Sequence, residues 1–187
     1  MLLKSRFECA IVIVVVALLG GAWIIDSRED NVESQNFLLT EAPIVGHLAP
    51  DFTAATPGGE TYTLTDFVDR DGAAGMPVVL NFWASWCGPC RIEMPYFERT
   101  SLKYADRAAV LGVNQAESAE TITTFQQSMH VTYPLLVDED WVVNNLYGIS
   151  NRPTTVFIDG KGVVREVFVG TMSQAVLEDK LNGLFEE

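Results

Sequence analysis

Cys87 and Cys90 lie in the stretch FWASWCGPCRIEMP, residues 82–95, separated only by Gly88 and Pro89. They are two of the three cysteines among 187 residues, and the third, Cys9, lies far upstream. A structural zinc site wants four Cys or His ligands, usually as two pairs. Here one CxxC is joined only by the isolated His47 and His130, which read as surface or loop residues. No metal and no cofactor are expected. A peroxide-reducing cysteine needs a polar setting and no thiol partner one turn away, and the Trp86 and Pro89 neighbours do not suit it. A redox dithiol fits best. Cys87 follows the apolar run PVVLNFW, residues 77–83, and would open a helix. A thiolate there is stabilised by free backbone N–H groups and the helix dipole, which lowers its pKa. Pro89 suits the first helical turn, where no N–H is required. Cys90 then sits three residues on, shielded beneath Cys87. In that arrangement Cys87 attacks a disulfide and Cys90 resolves the mixed disulfide.

The elements that would position this pair alternate strand and helix signals from Gly46 onward. DFTAATPGGETYTL reads as two short strands around the turn TPGG. PVVLNFW and AAVLGVN read as buried parallel strands, because both are continuous apolar runs of strand length. CRIEMPYFERTSLKYA is helical, with a kink expected at Pro95. SAETITTFQQSMH is an amphipathic helix capped by Ser118, and WVVNNLYGI is a short helix. TTVFID and VVREVFVG are strands joined by the hairpin turn DGKG, and SQAVLEDKLNGLFEE closes the chain as a helix. The sum is an α/β domain over residues 46–187, with a mixed central sheet, helices on both faces and an N-terminal β-hairpin extension.

The first 25 residues differ. Lys4 and Arg6 precede an uncharged apolar stretch from Cys9 to Ile25. It is near the short limit for crossing a bilayer. A cleaved signal peptide and an uncleaved anchor both fit. Gly20, Gly21 and Ala22 leave cleavage open, while the length of the run and Trp23 at its end favour a transmembrane anchor. The basic flank puts the N-terminus in the cytoplasm and everything after about Asp26 outside it. Cys9, at the cytoplasmic edge of the span, reads as a small hydrophobe, with acylation as the alternative. Residues 26–45 are polar in their first half and read as a linker, spanning roughly 25 Å as a coil.

The net charge is -13, and from Gly46 onward there are 9 basic and 19 acidic residues, a net of -10. That balance argues against nucleic acid, whose phosphates need Lys and Arg. Hydrophobic residues make up 48% of the chain, enough for a packed core without disulfide staples.

NFWASWCGPCRIEMP resembles the active-site segment of thioredoxin-like proteins. VGHLAPDFT before it and YGISNRPTTVFIDGKGVV after it point to the membrane-anchored thiol–disulfide oxidoreductases of the TlpA and ResA type, in the peroxiredoxin-like (AhpC/TSA) branch of the fold. The resemblance covers about Gly46 to Glu186. It implies a thioredoxin fold and a reducing role outside the cytoplasm. The clients would be exported thiol or disulfide proteins such as apocytochrome c, with a membrane electron donor, and a monomer is expected.

The resemblance also assigns residues. Pro153 matches the cis-proline that faces the dithiol. Asn81 stands where cytoplasmic thioredoxin has a buried Asp, which fits the subgroup. Glu93, one turn after Cys90, matches the subgroup's acid, so it is either a proton acceptor for Cys90 or a solvated acid of the first turn. Trp83 and Trp86 are expected to pack around the disulfide, Phe82 in the core, and Asp138–Asp140 in a solvated loop and helix start. Arg152 is unexpected before the proline. It is either a solvent-facing side chain or a cation near Cys87 that would stabilise the thiolate and favour acidic clients. An enzyme is the leading reading, and the rival is a thioredoxin-like binding module whose dithiol is incidental.

Overall fold

The computed structural model describes residues 41–70 and 75–185. The apolar run 9–25, Cys9 and residues 26–40 of the linker lie outside the described residues. The linker's last residues fold with the domain: Ala42 N–H donates to Leu48 O at 3.0 Å, and Gly46 N–H to Val164 O at 2.8 Å.

Among the described residues, seven strands and four α-helices follow in chain order. β1 (Thr53–Ala55) and β2 (Thr61–Thr63) pair antiparallel as a separate two-stranded ribbon. β3 (Val78–Trp83) leads into α1 (Gly88–Lys103), then β4 (Ala109–Asn114), α2 (Ala119–Met129), the two-residue β5 (Leu135–Leu136) and α3 (Val142–Leu146). β6 (Thr154–Ile158), β7 (Val164–Val169) and α4 (Gln174–Gly183) complete the domain. The main sheet has the order β5-β4-β3-β6-β7. β4 runs parallel to β3 and to β5, whereas β6 is antiparallel to both β3 and β7. β5 answers to no element in the sequence analysis, because two apolar residues carry no period.

β3 is buried along its whole length, as a central strand covered on both faces must be. Its side chains alternate between two cores. Val79 and Trp83 face the core built with Met94 and Phe97 of α1, Ile122 and Phe125 of α2, and Leu177 and Leu181 of α4. Val78, Leu80 and Phe82 face the other core, with Phe52, Leu64, Val143 and Tyr147. So α1, α2 and α4 cover one face, and α3 with the N-terminal segment covers the other. β3 therefore delivers the following loop, and Cys87, to the edge where the first core opens.

The caps follow local chemistry. Ser118 Oγ accepts from Thr121 N–H at the start of α2, and Ser173 Oγ from Val176 N–H at the start of α4. α1 continues through Pro95 as one helix. Asp138 stands at a helix start, as expected, but departs from the solvated-loop part of that expectation. It is buried and accepts from the N–H groups of Val143 and Asn144, at 3.0 and 2.8 Å, satisfying the first turn of α3. Glu139 and Asp140 are exposed.

Candidate active site

Cys87 is the N-cap of α1, and its Sγ accepts from Cys90 N–H at 3.2 Å. A sulfur thus occupies the place where a helix start offers unpaired donors. Gly88 and Pro89 form the first turn. The two cysteines are joined as a disulfide with Cα atoms 5.3 Å apart. Cys87 keeps 5% of its surface exposed and Cys90 none, so the pair has an outer and an inner sulfur.

Glu93 lies one turn beyond Cys90 on α1 and is wholly buried, which rules out the solvated reading of this acid. Its Oε1 accepts from Asn81 Nδ2 at 3.0 Å and its Oε2 from Met172 N–H at 3.1 Å. Asn81 also meets Thr155 Oγ1 at 3.0 Å. Burial pushes the Glu93 carboxyl up to about 7, and the two hydrogen bonds pull back only part of that rise. A carboxyl held there can take or give a proton at neutral pH.

Pro153 is buried, and the Arg152–Pro153 peptide bond is cis. Thr154 pairs with Phe82 across β6 and β3, so Arg152 and Pro153 reach the same end of the sheet as the dithiol. The Arg152 guanidinium lies 6.0 Å from the Trp86 ring and 5.7 Å from the Trp141 ring. Trp83 packs in the core against Phe125, with ring centroids 4.9 Å apart. Trp86, the residue before Cys87, leaves 67% of its surface in solvent.

Two groups at the site escaped the sequence analysis. Glu117, in the loop after β4, accepts from Ser85 N–H at 2.7 Å and from Ser85 Oγ at 2.5 Å. Asn114 Nδ2 adds a bond of 2.7 Å to the same carboxylate. This clamp ties the loop carrying Trp86 and Cys87 to the end of β4. No local pattern signals a pair 32 residues apart. The other is Trp141, whose apolar stretch was read only as the start of a helix. Among the described residues no cluster of three or more His, Cys, Asp or Glu side chains is placed to hold a metal.

This arrangement, a sulfur-capped helix after a buried central strand with an acid beneath it, is that of a thioredoxin fold. Residues 45–167 match the AhpC/TSA family. The chain is 41% identical over 140 residues to the thioredoxin-like protein YneN of Bacillus subtilis (strain 168), spanning 73% of this chain and 78% of the relative. It is 33% identical over 151 residues to the thiol-disulfide oxidoreductase ResA of Geobacillus thermodenitrificans (strain NG80-2), spanning 80% and 83%. Among solved structures, the pneumococcal exposed lipoprotein thioredoxin Etrx1 from Streptococcus pneumoniae strain TIGR4 aligns with a TM-score of 0.60 at 28% identity, covering 72% of this chain and 99% of that one. Fold and dithiol define a thioredoxin-like thiol–disulfide oxidoreductase of the TlpA/ResA type. The chain belongs to the AhpC/TSA family.

Proposed function

We propose that the domain reduces disulfides of exported proteins while tethered to the outer face of the membrane by its N-terminal apolar segment. The observation that carries the reading is the asymmetry of the pair: Cys87 caps α1 and keeps a small part of its surface exposed, whereas Cys90, inside the first turn, keeps none. In the reduced protein the Cys87 thiolate attacks one sulfur of a client disulfide. A bond forms between Cys87 and that sulfur, and the client's other sulfur leaves as a thiolate. The Cys90 thiolate then attacks Cys87 Sγ, closing the intramolecular disulfide and releasing the client's second thiolate. Two electrons pass to the client, and a membrane-borne dithiol donor returns them to the protein.

Glu93 accepts the proton that Cys90 must lose before it attacks. Its poise near pH 7 and its place one turn beyond Cys90 suit it to that task. Pro153, at the dithiol end of β6, and the exposed Trp86, next to Cys87, are the proposed borders of the place where a client strand would lie. Gly88 and Pro89 between the cysteines, as in cytoplasmic thioredoxin, favour the reducing direction. The basic flank of Lys4 and Arg6, the apolar run to Ile25 and the polar linker support a tether some tens of ångströms long. Apocytochrome c, which must hold reduced cysteines before haem attachment, is the proposed client.

The test is client trapping in intact cells with Cys90→Ala, in which the mixed disulfide with Cys87 cannot resolve. Exported cysteine proteins joined to Cys87 in the membrane fraction are the expected result. Recovery of the trapped protein in a soluble fraction, or trapping of cytoplasmic proteins alone, overturns the proposed location.

A further inference from the structure

Arg152 meets two indoles at the dithiol end of the sheet, with no anion among the described residues. Its guanidinium lies over the rings of Trp86 and Trp141, and its Nε is buried with no acceptor. No ion pair reaches it among the described residues. Glu139 and Asp140, exposed beside Trp141, do not pair with it. Partial burial strips water from the cation and lowers its pKa from the ordinary arginine value. A partly desolvated cation with unused donors is relieved by a carboxylate, and the bond so formed is of the stronger, charge-assisted kind.

The surface around this cation is apolar. Trp86 is 67% exposed, Trp141 40%, Val142 66% and Leu146 40%. Val142 and Leu146 are four residues apart on α3 and share one side of it. Arg152 reaches from the ring of Trp86, the residue before Cys87, to that of Trp141, and Trp141 leads directly into α3, so these side chains are taken together as one ledge with Arg152 at its middle. Large exposed side chains gathered on one rim mark a place where another chain docks.

We infer that this ledge selects clients: it takes a segment in which a carboxylate residue and a large apolar residue flank the disulfide cysteine. The carboxylate meets Arg152, and the apolar side chain lies on Trp141 and the exposed side of α3. Folded chains keep most of their large apolar residues inside, so a segment free to offer one beside its cysteine is best supplied by a chain that has not yet folded. This selection rests on the disulfide-reducing reading above and refines it.

The test uses the full-length reduced protein in detergent micelles. The substrates are disulfide-linked peptide dimers whose single cysteine is flanked by Phe and Glu, by Phe and Lys, or by Ala and Glu. The quantity read is the ratio of kcat/KM values within each protein variant. General changes in reactivity cancel in that ratio, and the effect of flanking charge on the leaving thiolate is common to all variants. For the wild type, the Phe–Glu peptide is preferred over the Phe–Lys peptide by about tenfold more than in Arg152→Gln, as expected for one charge-assisted hydrogen bond. Arg152→Lys keeps most of the preference, which shrinks at high salt. Trp141→Ala lowers the Phe–Glu over Ala–Glu ratio. Equal ratios in wild type and Arg152→Gln, with every peptide reduced, overturn the selection alone. A wild-type protein that reduces none of the peptides overturns the disulfide-reducing reading, and the selection falls with it.

Discussion

Asn81 Nδ2 donates to Glu93 Oε1 at 3.0 Å, and both side chains are shut away from solvent beneath the dithiol helix. The acid of this site therefore stands on the helix, one turn past Cys90, and the strand position beneath it holds an amide. An amide cannot take a proton, so it fixes the carboxyl's direction while burial sets its affinity for protons. The second carboxyl oxygen is held by Met172 N–H. A side chain bonded at both oxygens has little freedom to leave the site.

Glu93 makes stability depend on pH in a stated direction. Its folded pKa of about 7 lies above the ordinary carboxyl value of 4.5. The folded state therefore binds a proton that the unfolded state releases between those values. The stability associated with this group is fully present below about 4.5 and is lost as pH rises to about 7, an effect of about 3 kcal/mol. The oxidised protein suits the measurement, because its disulfide does not titrate. Denaturant unfolding across this range should show the slope in the wild type and its disappearance in Glu93→Gln. The Gln amide can be seated if Asn81 turns its own amide over, since Asn81 Oδ1 has no donor. Equal slopes in the two proteins would mean that Glu93 titrates normally.

Much of this architecture is legible in the sequence. The apolar runs ending at Trp83 and Asn114 and the capping serine Ser118 place strands and helices to within a residue or two, because each rests on local physics. Cys87 as the opening residue of a helix was equally local, since Pro89 permits a first turn and forbids little else. The cis bond before Pro153 came only from resemblance, as spacing carries no isomer preference. The clamp between Ser85 and Glu117, the burial of Asp138 and the exposure of Trp86 were not legible. Each depends on which distant backbone lies opposite, and a single sequence does not display that. Glu93 shows the limit well: its helix position was clear, but whether that helix face was buried depended on the packing of Met172 from beyond β7.

Cys87 should be the thiol that alkylating agents find first. In the oxidised fold its sulfur is the outer one, and it receives the Cys90 N–H and the start of the α1 dipole. Iodoacetamide at neutral pH, followed by peptide mapping of the reduced protein, should label Cys87 well before Cys90. Faster labelling of Cys90 would exchange the roles assigned to the two cysteines.

Glu117 should matter to the site although it lies outside the CxxC motif. Its carboxylate accepts from Ser85 twice and from Asn114 once. Glu117→Ala leaves those donors unpaired in a half-buried loop, at a cost of roughly 1–3 kcal/mol. Thermal unfolding of the oxidised protein should fall accordingly, and reduction of a protein disulfide should slow because Trp86 and Cys87 lose a fixed position. Unchanged stability and rate would show the clamp to be incidental.

Arg152→Thr should raise the Cys87 pKa and make the reduction potential more negative. A cation beside Trp86, the residue before Cys87, favours the thiolate and so the reduced state, and its removal withdraws that help. Thiolate absorbance titration and redox equilibration against glutathione, each at low and high salt, read the two quantities. The pKa gap between variant and wild type should narrow in salt. If neither quantity moves, the guanidinium acts on clients alone.

The central claim is catalytic turnover by an outer, attacking sulfur and an inner, resolving one. Its most direct measurement is insulin-disulfide reduction by the full-length protein with dithiothreitol as the electron source, comparing wild type with Cys87→Ser and Cys90→Ser. The wild type should accelerate the reaction over dithiothreitol alone, and Cys87→Ser should not. Cys90→Ser should carry a covalent insulin adduct on Cys87. Equal rates in wild type and Cys87→Ser would contradict these roles.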